Sequence, residues 1–384
     1  MTMARSRGAV LATVAAALLG GCAVAPPPRV AATPRVGHVF VVVLENEPFE
    51  RTFGKDSPAP YLAHELTAQG MLLRRYFGIG HLSLDNYIAM ISGQAPNAAT
   101  QADCRVFGEF VASAPGLDAD GQLRGEGCVY PAIVKTLPDQ LEAAGLDWRA
   151  YMEDMGKDPA REPATCGHVA IGAEDITARA TSDDQYAAKH NPFVYFHSII
   201  DDRARCDRHV VNLDALPRDL ERVESTPNYA FISPNLCHDG HDLPCKNGEP
   251  GGLESADGFL REWVPRILAA PAFKRDGLLV ITFDEGMLDS TACCGERGLA
   301  GGPPPGRDGP GGGRIGALLI APSIAPGRVS DRPYNHYSLL RWTEDNFGLA
   351  PLGYAAAPGL PAFGDDVFAR PTPEAEPNRR GAID

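Results

Sequence analysis

The sequence predicts an α/β fold with a mostly parallel central sheet. Short apolar runs rich in β-branched residues, among them HVFVVVLEN, GLLVITFDEG and IGALLIAP, are typical of strands buried on both faces. Stretches with helical spacing, such as APYLAHELTAQG and GFLREWVPRILAAPAF, alternate with these runs. Because alternating strands and helices favour a doubly wound sheet, we expect ligands to bind where the carboxyl ends of the strands meet.

The elements follow one another along the chain. HVFVVVLEN is the first predicted strand, APYLAHELTAQG a helix that ends at a glycine, and MLLRRYF the second strand. SLDNYIAMISG, from Ser83 to Gly93, is the next helix. TLPDQLEAAG is a helix, DWRAYME and NYAFISPN are strands, and GFLREWVPRILAAPAF is a long amphipathic helix. GLLVITFDEG and IGALLIAP are the last strands, separated by the Gly/Pro-rich loop GLAGGPPPGRDGPGGGR, and YNHYSLLRWTEDNFG is the last helix.

The charge of the chain limits its partners. The formal net charge is −14 over 384 residues, and nothing offers the basic stripe that nucleic acid requires. An acidic chain that handles a phosphorylated substrate must supply positive charge locally, through a metal ion or histidines. We therefore expect no nucleic acid partner.

The N-terminus predicts export. Arg5 and Arg7 precede the apolar core AVLATVAAALL, and LGGC ends at Cys22. LGGC resembles the bacterial lipobox, so we expect residues 1–22 to be a lipoprotein signal peptide and Cys22 to carry a membrane anchor in the periplasm or at the cell surface. The alternative is an ordinary signal peptide cleaved nearby, with secretion. A Pro/Ala tether is expected at 23–36, one folded domain at 37–365 and a disordered, Pro-rich tail at 366–384.

The remaining eight cysteines predict disulfides, because their number is even and the chain has export features. The sequence does not fix their connectivity, and nearest-neighbour pairing is the simplest hypothesis. The CxxC spacings of a thiolate metal site are missing from the sequence. The predicted pairs are Cys104–Cys128, Cys166–Cys206, Cys237–Cys245 and Cys293–Cys294.

Two pairs of polar residues stand at strand ends. Glu45 and Asn46 follow the first strand, and Asp284 and Glu285 follow GLLVITFDEG. Either pair alone is explained by capping of the next turn, but carboxylates gathered at one sheet edge repel one another unless a cation holds them. Oxygen ligands favour Ca²⁺, Mg²⁺ or Mn²⁺ over Zn²⁺.

Ser83 has two interpretations. At a helix start, its Oγ lies near free N–H groups that bind anions, and Asn86 lies one turn further on. Ser83 could then attack phosphorus while Asn86 holds the phosphoryl oxygens. The commoner use of serine at such a position is as an N-cap, and these residues alone leave both interpretations open.

Several runs taken together resemble the bacterial phosphoesterase family that includes acid phosphatases and phospholipases C, within the alkaline phosphatase superfamily. These runs span nearly the whole mature chain in order: VVVLENEPFERTFG, HLSLDNYIAMISGQAPN, KHNPFVYF, FISPNLCHDGHD, VITFDEG and YNHYSLLRWTEDNFGL. The resemblance implies an alkaline-phosphatase-like α/β/α sandwich and a phosphoserine intermediate. It implies Ser83 as the nucleophile, Asn86 as the phosphate-holding amide, and one metal ion held by Glu45, Asn46, Ser83, Asp284 and Glu285.

The histidines carry further implied roles. His190 in KHNPF and His241 in CHDGHD resemble active-site histidines that bind phosphate or protonate the leaving group. His238 and Asp239 share the loop of His241 and are alternatives for those roles. His336 is a weaker candidate for binding substrate, and His81 is another weak candidate for these roles. For each histidine, the competing interpretation is an ordinary hydrogen-bonded residue.

Two departures from the superfamily narrow the chemistry. Asn235 and Asp239 stand where two-zinc members have Asp and His, so one metal ion with histidines is expected, with Zn or Fe as less favoured choices. Asp85 and Tyr87 stand where sulfatases need Pro and Arg, which argues against a sulfatase. Protonation by histidine favours acidic to neutral pH.

The sequence therefore predicts a metal-dependent hydrolase of phosphate monoesters, of acid phosphatase type. One alternative is a phospholipase C-like phosphodiesterase acting on phospholipids. The other is a non-catalytic binding lipoprotein that keeps the fold. The expected ligands are a phosphorylated small molecule or a phospholipid head group, with the membrane reached through Cys22.

Overall fold

The computed structural model describes residues 35–368. Its central sheet has eight strands, which are β1 (His38–Leu44), β2 (Met71–Leu73), β6 (Trp148–Met152), β7 (Val210–Asn212), β8 (Tyr229–Ser233), β9 (Gly277–Phe283), β10 (Ala317–Ile320) and β11 (Arg328–Ser330). Their order across the sheet is β11-β2-β10-β9-β1-β8-β6-β7. Two small sheets pair β3 (Tyr76–Phe77) with β12 (Tyr334–Asn335), and β4 (Val111–Leu117) with β5 (Leu123–Glu126).

The sheet is mostly parallel, as predicted. β1 lies at its centre and pairs in parallel with β8 and β9. Every residue of β1 and β9 is buried, which explains their unbroken apolar runs. β10 runs antiparallel to both of its neighbours, β9 and β2. The apolar pattern of IGALLIAP predicted a strand but carries no information about its direction.

The helices are α1 (Phe49–Phe53), α2 (Ser83–Ser92), α3 (Leu137–Ala143), α4 (His197–Ile200), α5 (Arg203–His209), α6 (Leu216–Asp219), α7 (Gly252–Ala269), α8 (Pro271–Asp276), α9 (His336–Phe347) and α10 (Asp365–Phe368). The predicted long helix is interrupted at Ala270, where Pro271 starts a new helix. APYLAHELTAQG is not an α-helix but a π-helical turn, Tyr61–Leu66, followed by a 3₁₀ turn, Thr67–Gln69. No helix between residues 35 and 368 combines the length and the apolar character needed to cross a membrane.

Helix α2 is buried on all sides. Each of its ten residues is buried, and the helix packs against α9. It ends at Gly93, which has a φ of 66° and donates its N–H to Ala89 O. The N-cap is Leu82, which makes no capping hydrogen bond, so Ser83 is not the cap of this helix.

All eight cysteines of the described chain lie in pairs. The disulfides are Cys104–Cys128, Cys166–Cys206, Cys237–Cys245 and Cys293–Cys294, which is the nearest-neighbour connectivity. The predicted signal peptide with Cys22, most of the tether and the tail beyond Phe368 lie outside the described residues. Helix α10 continues past the boundary predicted at residue 365 and buries Val367 and Phe368.

Candidate active site

The carboxyl ends of β1 and β9 bring the two polar pairs together. Leu44 stands opposite Phe283 in the parallel register, so the residues that follow them are neighbours. The backbone N–H of Asn46 donates to Asp284 Oδ1 over 2.9 Å. Glu45 and Asp284 are completely buried. The structure therefore brings Glu45 and Asp284 together at the carboxyl ends of β1 and β9, as the sequence predicts.

Ser83 faces this edge. Its Oγ donates a hydrogen bond of 2.7 Å to Glu45 Oε2, and only 1% of the residue is exposed. The hydroxyl therefore points from the first turn of α2 towards the buried acids Glu45, Asp239 and Asp284, called the carboxylate cluster below, and not towards the helix amides. The neighbouring amide, Leu84 N–H, is taken by Asp103 Oδ1 at 3.1 Å.

Glu45 contacts several of the other side chains of the site. Besides Ser83, it accepts a hydrogen bond from Tyr87 OH at 2.7 Å, and His190 Nε2 lies 3.2 Å from its Oε1. Burial opposes ionisation of Glu45, but His190 and Lys189 outweigh it and lower its pKa to about 2. Glu45 is thus an ionised carboxylate that orients the Ser83 hydroxyl.

His190 joins Glu45 to Asp239. The ring stacks on Tyr87 with centroids 5.3 Å apart, and its Nδ1 lies 3.4 Å from Asp239 Oδ2. Burial lowers the pKa of His190, although the charge of Glu45 opposes this. Glu45, His190 and Asp239 each present an atom suited to metal ligation, within 4.8 Å of one another.

The cluster has the properties of a cation site. Asn46 Oδ1, Asp239 Oδ2 and Asp284 Oδ2 are buried without a hydrogen-bond partner, and unsatisfied buried oxygens are costly. Burial and the nearby charge of Glu45 raise the pKa values of Asp239 and Asp284 well above the usual range. A divalent cation would satisfy these oxygens and allow Asp239 and Asp284 to ionise beside Glu45, so the residues fit a metal ion.

Glu285 points elsewhere. Its side chain contacts His81 Nδ1, and His81 Nε2 lies 3.0 Å from Asp289 O. Glu285 was predicted as a metal ligand, whereas here it ties the loop before Ser83 to the segment after β9. Asp239, on the loop after β8, is buried and presents an oxygen to His190 next to Glu45.

Asn86 holds the same loop. Its Oδ1 accepts from the backbone N–H groups of Ile79 and Gly80 at 2.7 and 3.1 Å. Its Nδ2 donates to Gly80 O and Leu82 O, both at 3.1 Å. In this arrangement the amide predicted to hold phosphate instead supports the backbone that presents Ser83.

The other predicted histidines lie in different surroundings. His241 has a 43% exposed side chain that contacts Asp242 Oδ1 at 2.9 Å, and this contact raises its pKa. His238 lies between Glu153 and Glu249, outside the carboxylate cluster. His336 is fully buried beneath the site, where Nε2 contacts Asp284 O at 2.6 Å and Nδ1 contacts Tyr76 OH at 3.2 Å. The structure therefore places His190 and His241 at the site and gives His238 and His336 other contacts.

Three residues of the site escaped the sequence analysis. Tyr87 lies one turn after Ser83, and its helical spacing was a usable signal. Lys189 precedes His190, and its Nζ lies 3.0 Å from Asp103 Oδ2. Asp103 carries no sequence signal for its place beside α2, because it reaches the helix from a separate loop.

Two cavities approach the cluster from either side of His241. One, of about 200 Å³, is lined by Asn46, His241, Leu243 and Met287 among others. The other, of about 340 Å³, is lined by Asp103, Lys189 and His241 among others. A larger cleft of about 810 Å³, between the β4–β5 hairpin and the Gly/Pro-rich loop, contains none of the predicted site residues.

Comparisons with known proteins agree with the sequence resemblance. A family model described as the Phosphoesterase family matches residues 55–350. A phosphate-repressible acid phosphatase of Penicillium chrysogenum is 27% identical over 292 residues, which cover 75% of this chain and 55% of that protein. The chain also matches 59% of the length of a probable acid phosphatase of Kluyveromyces lactis, at 25% identity. The chain thus spans little more than half the length of these two fungal relatives.

Another relative is similar in length. A phosphatidylinositol-3-phosphatase of Mycobacterium tuberculosis is 25% identical over 365 residues, which cover 93% of this chain and 94% of that protein. Among solved structures, a protein in the alkaline phosphatase superfamily from Vibrio parahaemolyticus gives a TM-score of 0.45 at 13% identity, over 83% of this chain and 69% of that one.

Proposed function

The chain belongs to the Phosphoesterase family, and we propose that it is a metal-dependent phosphomonoesterase of acid phosphatase type that forms a phosphoserine at Ser83. One observation carries this proposal. The Ser83 hydroxyl is held 2.7 Å from a buried, ionised Glu45 within a cluster that leaves three buried oxygens without partners. A helix start alone requires no such surroundings.

The chemistry assigned to the residues follows from their contacts. The proton of Ser83 Oγ passes to Glu45 Oε2, to which it is already hydrogen-bonded, as Oγ bonds to phosphorus and the bond from phosphorus to the leaving oxygen breaks. Glu45 orients Ser83, and Tyr87 and His190 hold Glu45 in place. The departing oxygen takes a proton from a histidine, and His241 is the better placed because it lines both cavities. Water then cleaves the bond between phosphorus and Ser83 and releases phosphate.

The cation held by Glu45, Asn46, Asp284 and Asp239 would supply positive charge that lowers the pKa of Ser83 and stabilises the phosphoryl oxygens. Glu45 is a weak base at a pKa of about 2, so the carboxylate alone accounts poorly for removal of the serine proton. The oxygen-rich donor set favours Ca²⁺, Mg²⁺ or Mn²⁺, and the nearby His190 nitrogen also suits Zn or Fe.

The test measures hydrolysis of p-nitrophenyl phosphate and of its bis-ester between pH 5 and 9. Chelated protein should lose turnover of the monoester and recover it when metal is restored. Ser83→Ala should remove turnover without unfolding the chain, because only one buried hydroxyl is lost. Full activity in Ser83→Ala, or in metal-free protein, would refute the proposal. A preference for the bis-ester would favour the phosphodiesterase alternative.

A second candidate function is hydrolysis of a phosphate monoester on a lipid head group. The relative from Mycobacterium tuberculosis that spans most of this chain is a phosphatidylinositol-3-phosphatase. Leu243 and Met287 line the cavity beside Asn46 and are 66% and 45% exposed, and Leu288 is 91% exposed. A lipid anchor on Cys22 would hold such a surface near a membrane. Release of phosphate from phosphatidylinositol 3-phosphate in vesicles, compared with soluble inositol 3-phosphate, separates this candidate from a soluble substrate.

The non-catalytic alternative has the least support. A scaffold that had lost its activity would not need Ser83, Glu45 and Asp284 to be retained together at one buried edge. No turnover of either ester with any divalent metal, in protein that still binds the metal, would favour it.

A further inference from the structure

The cavity of about 340 Å³ has a wall that the proposed reaction does not use. Its inner end is formed by Lys189, Asp103 and His241, which adjoin the carboxylate cluster. Its outer part is formed by Arg105 and by the segment that includes Glu174, Asp175 and Arg179. The cavity therefore lies beside the carboxylate cluster, next to Lys189 and His241, and carries a charged wall formed by Arg105, Glu174 and Arg179.

Each acidic side chain of this cavity has at least one partner, although Asp175 Oδ2 has none. Asp103 accepts from Lys189 Nζ at 3.0 Å, and Glu174 forms an ion pair with Arg179. Asp242 contacts His241 at 2.9 Å. The fourth acid, Asp175, is buried and accepts from both the N–H and the hydroxyl of Thr177, at 2.9 and 2.6 Å.

Arg105 differs from these groups. Its side chain is exposed and lines the cavity. Among residues 35–368, no carboxylate lies within ion-pair distance of its guanidinium. Its backbone is fixed, because its carbonyl accepts from Asp175 N–H at 2.9 Å and the adjacent Cys104 is joined to Cys128. A guanidinium on a fixed backbone is well suited to bind a planar carboxylate or a phosphate group.

We propose that this cavity receives the leaving group of the phosphate ester and that Arg105 binds a second anionic group on it, a carboxylate or another phosphate. The proposal rests on phosphomonoesterase activity at Ser83. It makes Arg105 a specificity-determining residue, and it assigns the preferred substrates to phosphate esters whose alcohol portion carries its own negative charge.

The test compares two phosphate esters of similar size. 3-Phosphoglycerate carries a carboxylate where glycerol 3-phosphate carries a hydroxymethyl group. Wild type should show a KM about tenfold lower for 3-phosphoglycerate, the effect of one exposed charge-assisted hydrogen bond. Arg105→Gln should raise the KM for 3-phosphoglycerate to that for glycerol 3-phosphate and leave kcat and the KM for glycerol 3-phosphate unchanged. Arg105→Lys should retain part of the preference.

Two further variants make the result specific. Arg222→Gln is the matched control. Arg222 is exposed and lies before β8, at the amino end of that strand and away from the carboxyl ends that form the site. Arg51→Gln removes the arginine of the other cavity, where Arg51 lies 3.3 Å from Glu47. Loss of the preference in Arg51→Gln alone, or equal KM changes for both esters in Arg105→Gln, would overturn the proposal.

Binding separates this inference from the proposed function. Calorimetric titration of Ser83→Ala protein with the same two esters measures affinity without turnover. A preference for 3-phosphoglycerate that Arg105→Gln removes would support the subsite even if the catalytic proposal failed. Equal affinities for the two esters in the Ser83→Ala protein would overturn the subsite even if the wild type hydrolysed both.

Discussion

The Asp103–Lys189 ion pair connects the start of α2 to the segment that carries His190. Asp103 accepts from Leu84 N–H at 3.1 Å and from Lys189 Nζ at 3.0 Å, and the two side chains are 15% and 13% exposed. At that separation the attraction is about 5 kcal/mol for an effective dielectric constant of about 20, before desolvation is subtracted. We therefore expect the pair to be coupled strongly.

The perturbation is a double-mutant cycle of Asp103→Asn, Lys189→Met and the two combined. Each single variant leaves one charge in a largely buried position without its partner, which should cost about 3 kcal/mol of unfolding free energy. The double variant removes both charges, so its loss should be smaller than the sum of the two by about 2 kcal/mol or more. Asp103→Asn should also lower kcat, because the first turn of α2 loses its anchor to Lys189.

Urea unfolding followed by circular dichroism supplies the four free energies, with the m-value checked to be constant across the cycle. Ser57→Ala is a suitable matched control, since Ser57 is a partly exposed loop residue whose side chain accepts only from Ala59 N–H. Losses that add to within about 0.5 kcal/mol would show that the two side chains act independently, and the reasoning from the ion pair would then be wrong.

Two further predictions concern one hydrogen bond and one buried acid. Tyr87→Phe removes the 2.7 Å hydrogen bond to Glu45. It should lower kcat about tenfold, which corresponds to about 1.4 kcal/mol of transition-state stabilisation, with little change in KM. Steady-state kinetics that show an unchanged kcat would contradict the role given to Tyr87. Glu344 is fully buried, and burial raises its pKa from 4.5 to about 8. The folded state therefore binds this proton more tightly than the unfolded state, so its contribution to stability is complete below pH 4.5 and is lost as pH rises through about 8. Glu344→Gln should consequently be more stable than wild type at pH 9 and nearly equal to it at pH 5 in thermal unfolding, and a difference that does not depend on pH would count against this explanation.

The sequence predicted the sheet edge because its signals were local. Glu45 and Asp284 each end an apolar run, and parallel strands place their carboxyl ends together. The spacing of SLDNYIAMISG likewise predicted α2. The antiparallel direction of β10 was not predictable, because the direction depends on how the long Gly/Pro-rich loop returns the chain to the sheet.

Contacts between distant segments were also beyond the sequence. Glu285 and Asp284 are adjacent residues of the same charge, yet one points to His81 and the other to the cluster. Asp239 was predicted only as an alternative to His241, not as a metal ligand, and its place beside His190 depends on where β8 ends next to β1. Asp103 and Lys189 are separated by 86 positions, and only the tertiary fold brings them together.

The central claim is that Ser83 becomes phosphorylated during turnover. Its most direct test is a rapid acid quench of metal-loaded protein with p-nitrophenyl phosphate, followed by peptide mass spectrometry. The account predicts a phosphate on the peptide that contains Ser83, at that residue, and none in Ser83→Ala. An unmodified Ser83 in protein quenched during turnover, or turnover by Ser83→Ala at the wild-type rate, would contradict it.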